Sequence, residues 1–306
     1  MIATNLFGNC GNHLSGYAIC RIVAEKLGYD WGVNPVPSHD YHNGMNQMYF
    51  MDVDFGKPIS GIVNEFSEKW LYTYHNGEKI NITMYDENVF KIQDNTILKG
   101  GDGALGGIYQ AENYYIDRRS DIINWFKILP EYEDRYEQDL KNNNIVLDND
   151  TCVINFRGGE YRSIPNVLLK PKYWSDAITH MRKNNPAMKF VVVSDDLDLA
   201  RQFMGNIPYC YIHKDIGFDY YLVNNAKWLI IANSSFSLWA AFLNVYAGNN
   251  MIIAPKYWAR WNTSDWYWAT TNINRTFTYL DRNNNLSNYE HCYNEMLENY
   301  KRFGVI

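Results

Sequence analysis

From residue 151 to about 255 the chain alternates short β-branched apolar runs with helical stretches, and this alternation restricts the fold more than any other feature. Thr151-Cys-Val-Ile-Asn-Phe156, Met188-Lys-Phe-Val-Val-Val193, Tyr209-Cys-Tyr-Ile212, Lys227-Trp-Leu-Ile-Ile-Ala232 and Met251-Ile-Ile-Ala254 read as strands. Between them, Lys172 to Asn184, Leu197 to Phe203, Phe218 to Ala226 and Phe236 to Tyr246 read as helices. In the first of these helices Tyr173, Ala177, Ile178 and Met181 fall on one face. Near-continuous apolar strands joined by helices require crossover connections, which make a parallel sheet buried on both faces. The predicted architecture of this half is a Rossmann-like α/β domain.

The first half is less regular. Leu14 to Leu27 is a predicted helix stopped by Gly28, and Ser120 to Phe126 and Glu131 to Asn142 are further helices. Residues 35 to 105 carry aromatic alternation, as in Lys69-Trp-Leu-Tyr-Thr-Tyr-His75 and Lys79-Ile-Asn-Ile-Thr-Met-Tyr85, with few helix signals. A last helix spans Tyr289 to Arg302. A chain of 306 residues suits two domains at about 150 residues each. The turn-rich stretch from Asn142 to Asp150 places the predicted boundary, giving domains 1–150 and 151–306, with the last helix free to pack back on the first.

Composition excludes several classes. Hydrophobic residues at 46% and charged residues at 20% are those of a globular chain. A net charge of -6 argues against a duplex nucleic-acid partner. The five cysteines are scattered without C-x-x-C spacing, which argues against a disulfide framework or structural zinc and for a cytoplasmic setting, peripheral membrane association allowed. No apolar run approaches the roughly 18 residues of a membrane span, and the N-terminus shows no signal-peptide pattern. Aromatics at 16%, including 25 Tyr and 10 Trp, suit half-polar clefts that stack on sugars, and codon bias explains them equally well.

Four motifs carry chemistry. Asn155-Phe-Arg157-Gly158-Gly-Glu160-Tyr161 follows a predicted parallel strand, where open α/β sheets place ligands. Arg157 can bind a phosphate with two parallel hydrogen bonds or simply pair with Glu160. Ser194-Asp195-Asp196 follows the next strand. A carboxylate there can receive a guanine N–H pair, cap the helix beginning near Leu197, or form a metal-binding D-x-D with Asp198. Asn233-Ser234-Ser235-Phe236-Ser237 lies between a strand and a helix, so its hydroxyls and amides make either an anion site or an ordinary cap. Gly8-Asn-Cys-Gly11-Asn12-His13 opens the first long helix and offers a second phosphate-facing helix start. His39-Asp40-Tyr-His42 has metal-like residue types in what reads as a surface loop.

Taken together the motifs resemble glycosyltransferase family 11, the α-1,2-fucosyltransferases. Gly11-Asn12-His13-Leu14 with Tyr17-Ala18 resembles the family's G-N-Q-(M/L)-F-Q-Y-A, and Tyr109-Gln110-Ala-Glu112-Asn-Tyr114-Tyr115 its (Y/F)-Q-S-E-K-Y-F. Asn155 to Tyr161 stands where the family has H-x-R-R-G-D-Y. Ile231-Ala-Asn233-Ser234-Ser235-Phe236-Ser237 through Asn244, then Ile253-Ala-Pro255-Lys256-Tyr-Trp258, resembles I-A-N-S-S-F-S-W-W-G-A-W-L-N and I-A-P-K-x-W.

The resemblance implies a GT-B-like fold of two Rossmann-like halves with an interdomain cleft. It implies inverting transfer from GDP-fucose to a saccharide hydroxyl, without a metal or cofactor. It assigns Arg157 to the β-phosphate and leaving group, Asp195 or Asp196 to guanine, and Ser234, Ser235 and Phe236 to the pyrophosphate and donor sugar. Asn12 would face the phosphates from the N-terminal half, and Asn155 would hydrogen-bond the base. Glu160 is the expected general base or else the residue that orients Arg157; His39 and Asp40 stand behind it on the acceptor side. Three departures stand out: Asn155 for the family's His, Gly158 for its second Arg and Glu160 for its Asp. They leave two alternatives open: a transferase using another nucleotide sugar, with or without a metal held by Asp196 and Asp198, and a non-catalytic glycan-binding relative.

Overall fold

The structure is a computed structural model that describes residues 1–35, 46–75, 78–83, 85–101, 107–259, 273–302, 304 and 306. It contains two compact α/β units. The first comprises Met1–Ile128 with the C-terminal residues Met296–Ile306; the second comprises, among the described residues, 129–259 and 273–295. The expectation of two Rossmann-like α/β halves is met in each unit taken by itself.

The first unit begins with strand β1 (Ile2–Asn5) and helix α1 (Cys10–Leu27), followed by β2 (Trp31–Asn34) and β3 (Asn64–Phe66). A hairpin follows, β4 (Trp70–His75) with β5 (Glu78–Thr83), then β6 (Thr96–Leu98) and α2 (Arg119–Trp125). Its main sheet is all parallel, in the order β2-β1-β6-β3. These four strands have three or four residues each, too short for period counting to detect. Helix α1 starts four residues earlier than its apolar periodicity predicts and ends where Gly28 takes φ 73° in the left-handed region.

The β1–α1 loop is held against the end of β6. A Cβ on Gly100 would fall 2.0 Å from Phe7 Cδ1, and Phe7 is buried, so only glycine fits.

The second unit opens with α3 (Pro130–Asn142) and β7 (Thr151–Phe156), then α4 (Pro171–Asn184), β8 (Lys189–Ser194), α5 (Leu197–Met204) and β9 (Cys210–Ile212). It continues through α6 (Ile216–Asn225), β10 (Trp228–Ile231), α7 (Ser235–Phe242) and β11 (Ile252–Pro255). It closes with β12 (Thr278–Leu280), β13 (Leu286–Ser287) and the start of α8 (Tyr289–Arg302). The sheet order is β13-β12-β11-β10-β7-β8-β9, parallel except for β13. All six residues of β7 are buried, as are Phe190–Ser194 of β8, the signature of a sheet covered on both faces.

The division between units falls at 128/129, not at the polar stretch near 150. Helix α3 joins the second unit because Tyr136 packs against Phe218 and Tyr221 of α6, ring centroids 5.9 and 5.7 Å away. Arg135 also pairs with Asp215, the cap of α6.

From β7 the chain runs outward to β8 and β9, then returns to the other side of β7 to form β10 and β11. The reversal leaves a crevice at the carboxyl ends of β7 and β10, where open α/β sheets bind ligands.

Gly100→Ala is expected to lower stability by about 1–3 kcal/mol, because Phe7 must leave its seat. Urea denaturation checks this, and an unchanged midpoint would contradict the packing account.

Candidate active site

The loop after β7 and the loop after β8 meet at this crevice. Arg157 donates from one guanidinium nitrogen to Asp195 Oδ2 and from the other to Glu160 Oε1 at 2.8 Å. The Gly158 N–H donates to Asp195 Oδ1 at 2.8 Å, so Asp195 bridges a side chain and a backbone group of the same loop. Arg157 also lies over the Tyr161 ring, 5.4 Å from its centroid.

Asp196 is engaged differently. Its Oδ1 accepts from Leu199 N at 3.0 Å, capping α5, while Arg162 donates to both of its oxygens at 2.7–2.8 Å. The capping role weighed for this acidic pair therefore belongs to Asp196. Asp198 is exposed and its nearest cation is Arg201 at 3.8 Å, so Asp196 and Asp198 serve different partners. Among the described residues no cluster of three or more His, Cys, Asp or Glu is arranged to hold a metal ion.

The two glycines exist for contact between these loops. A Cβ on Gly158 would sit 2.5 Å from Asp196 Cβ, and one on Gly159 would sit 2.2 Å from Asp195 Oδ2. Any side chain at 158, the family's arginine included, would push the β8 loop away. Gly158 thus goes with a tighter seat for Asp195 and Asp196, and Arg162 supplies the second guanidinium of the cluster, in contact with Asp196.

The serine-rich motif is tied to the same place. Asn155, buried at the end of β7, accepts a hydrogen bond from Ser237 of α7, so its oxygen holds α7 to the strand. Tyr161 donates its hydroxyl proton to the Asn233 carbonyl at 3.2 Å. Ser234 is the N-cap of α7 but makes no side-chain cap bond, which leaves the first-turn amides of an eight-residue helix without that acceptor. Ser235 and Phe236 are half-buried in that first turn, Phe236 against Tyr220. Arg157, Gly158, Glu160, Asp195, Asp196 and the Ser234–Phe236 turn are thus gathered on one edge of one sheet.

Sequence reasoning missed a pair at the end of the neighbouring strand. His213 follows β9 and hydrogen-bonds through Nδ1 to Asp219 Oδ2 of α6 at 2.7 Å. Burial pushes the Asp219 carboxyl up to about 6, and the bond to Asp219 raises His213 above its ordinary value. Asp195 acts electrostatically on both. Asp219 Oδ1 is buried with no hydrogen-bond partner among the described residues. Such an acceptor costs free energy unless a ligand or water donates to it. The signal was Asp219 itself, which a helical pattern presents as one more first-turn acid.

In the first unit Asn12, in the opening turn of α1, accepts from Gln110 Nε2 at 2.6 Å. Gln110 belongs to a segment built around Glu68. This carboxylate, 2% exposed, accepts from Ile108 N and Tyr109 N at 3.0 Å each and from the Tyr114 hydroxyl at 2.8 Å. Those bonds hold Tyr109 at φ 47°, a region an aromatic residue seldom occupies. Burial raises the Glu68 carboxyl to about 7. His39 and Asp40 lie outside the described residues.

The model of the family described as Glycosyl transferase family 11 matches residues 75–274, about two thirds of the sequence. The chain belongs to glycosyl transferase family 11. It is 27% identical over 167 residues to the Alpha-1,2-colitosyltransferase of Escherichia coli, covering 50% of this chain and 54% of that one. To the Escherichia coli O-antigen biosynthesis glycosyltransferase WbnK it is 26% identical over 125 residues, 37% of this chain and 41% of that one. The chain thus spans about half the length of the curated relatives it matches. Among solved structures, POFUT1 in complex with GDP-fucose is similar at 12% identity over 81% of this chain and 95% of that one, TM-score 0.47. A family 9 glycosyl transferase from Veillonella parvula gives 10% identity, 92% and 85% coverage and a TM-score of 0.46. No helix among the described residues is long and apolar enough to cross a membrane.

Two outcomes follow from the geometry. Gly158→Ala is expected to displace Asp196 and lower the melting temperature; an unchanged melt would mean the β8 loop yields freely. Glu68 holds its proton more tightly folded than unfolded, so its contribution is full below about pH 4.5 and is lost as pH rises through about 7. Glu68→Gln is expected to flatten that part of the stability profile, read as melting temperature against pH, and an unaltered slope would remove Glu68 as its cause.

Proposed function

We propose that the chain is an inverting glycosyltransferase that moves a 6-deoxyhexose, with L-fucose as first choice, from its GDP derivative to a saccharide hydroxyl. The observation that carries this reading is the guanidinium of Arg157, held after β7 by two carboxylates and over the ring of Tyr161, whose hydroxyl bonds the Asn233 carbonyl just before the uncapped first turn of α7. A pyrophosphate is the ligand such a site favours: a fork of N–H donors meets one phosphate and a helix N-terminus meets the other. Breaking the sugar–phosphate bond develops charge on the β-phosphate oxygen, and a fixed guanidinium stabilises it in the transition state. Arginine takes the part that a divalent cation plays elsewhere, so neither metal nor cofactor is required. The engagement of Asp196 with Leu199 N and Arg162 supports this, since a D-x-D site would need that carboxylate.

Guanine presents adjacent N–H donors, and Asp219 would receive them only if its buried oxygens, one of them bonded to His213, opened to the crevice. Asp195 and Asp196 are better explained as the seats of Arg157 and of α5. Glu160, exposed and paired with Arg157, orients the guanidinium in the free enzyme. The donor sugar has a close alternative, because one relative is named a colitosyltransferase and colitose is the 3-deoxy form of fucose.

The test is sugar transfer from GDP-fucose and GDP-colitose to a panel of galactosides, with the anomeric configuration of the product read by NMR. Transfer with inversion, unaffected by EDTA and reduced about 10²–10³-fold in Arg157→Ala, is expected. Glu160→Gln should keep most of the activity; a loss beyond about 10²-fold would instead make it the general base. Transfer abolished by EDTA, or none from any nucleotide sugar, would overturn the proposal.

A further inference from the structure

Asn233 has no assigned role, yet three loops meet on it. It stands just beyond β10, the strand flanked in the sheet by β7 and β11. Its side-chain amide donates to Val167 O at 2.8 Å, in the segment that follows the β7 loop, and to Trp258 O, in the loop after β11. Its own carbonyl accepts from Tyr161, whose ring lies under Arg157. The residue is 2% exposed, and its Oδ1 has no hydrogen-bond partner among the described residues. Two carbonyls facing one end of the amide fix which end is NH₂, since an oxygen there would be repelled by both.

We propose that Asn233 is a positioning residue for the donor site: a strut whose NH₂ group holds the β7-side and β11-side loops at a set spacing around the first turn of α7. The cost points the same way. Burying an amide oxygen without a donor is unfavourable by an amount comparable to the gain from a good hydrogen bond. A site that keeps this arrangement uses the other end of the amide for something a hydrocarbon side chain could not do. Serine or alanine would reach neither carbonyl, and aspartate would fill the same volume while removing both donated hydrogen bonds. The strut acts through Tyr161 and the two loops and does not itself touch the reacting atoms.

This inference rests on the donor reading above, and its test separates the two. GDP is titrated calorimetrically into the full chain and into Asn233→Asp and Asn233→Ala, and amide hydrogen exchange is followed at residues 164–169 and 256–259. Folding of each variant is checked by circular dichroism and cooperative melting. Both folded variants are expected to bind GDP about tenfold or more weakly, with faster exchange in both loops and an unchanged acceptor KM. Binding within twofold of the native chain, or exchange unaltered in either loop, would overturn the strut. If the variants do not fold, exchange in the native chain decides. Joint protection of both loops by GDP supports the strut, and protection of one alone or neither overturns it. Failure of the native chain to bind GDP would defeat the donor reading instead, and the comparison of exchange between native and variant chains would still decide the strut.

Discussion

The arrangement of the loops at the carboxyl edge of the second unit's sheet depends first on one ionic contact, the guanidinium of Arg157 against Asp195. Asp195 also receives the Gly158 N–H, so a single carboxylate fixes both the side chain and the backbone of the loop that ends β7. Without that contact Arg157 would keep only the exposed Glu160 and the face of Tyr161, and the Gly158 backbone would lose its tie to the guanidinium. With it, the guanidinium is pre-oriented before any ligand arrives, and less ordering entropy is lost when one binds. The contact is part-exposed, with Arg157 24% and Asp195 28% exposed, so its contribution to stability is small. Its importance is geometric. On the proposed reading, an incoming pyrophosphate would compete with two carboxylates for the same fork of donors, which would favour a strongly charged group over a weaker acceptor.

The two glycines, the cap of α5 and the Arg162–Asp196 pair all serve this contact. Gly158 and Gly159 let the loops approach, and the Asp196 cap with its Arg162 partner keeps the β8 loop where Asp195 can reach Arg157. The loss of the family's second arginine at 158 is therefore not a simple deletion of charge. The position cannot hold a side chain while Asp196 stands where it does, and the charge returns at 162 attached to an acid. The first unit follows a similar logic with a buried acid: Glu68 ties three donors from one segment, and that segment presents Gln110 to Asn12.

Much of the second unit was legible because its strands are long enough and apolar enough for periodicity to speak. Thr151–Phe156 is a strand at its predicted limits, and α4, β8, α5 and α8 lie within a residue of theirs. Helix α7 is shorter than its apolar pattern predicts: it ends at Phe242, and Asn244 turns its amide onto Val223 O and Ala226 O. The four-strand sheet of the first unit was not legible, since strands such as Thr96–Leu98 carry no pattern of their own. The motif residues Arg157, Asp195 and Ser234 were found by their place after strands. Asp219 and Glu68 were not, and Asn233 stood inside a quoted motif without a part of its own, because their meaning lies in burial and in which groups they meet or lack. Neither property is written in local sequence. The boundary near residue 150 misplaced α3 because a polar stretch reads as a linker even where the preceding helix packs by its aromatic face.

The measurement that bears most directly on this account is a calorimetric comparison of GDP and GMP on the native chain and on Arg157→Ala. If the guanidinium serves the β-phosphate, the native chain binds GDP at least about tenfold more tightly than GMP, and the difference vanishes in the variant while GMP affinity persists. Equal affinity for GDP and GMP in the native chain, or a GDP preference that survives Arg157→Ala, would contradict it.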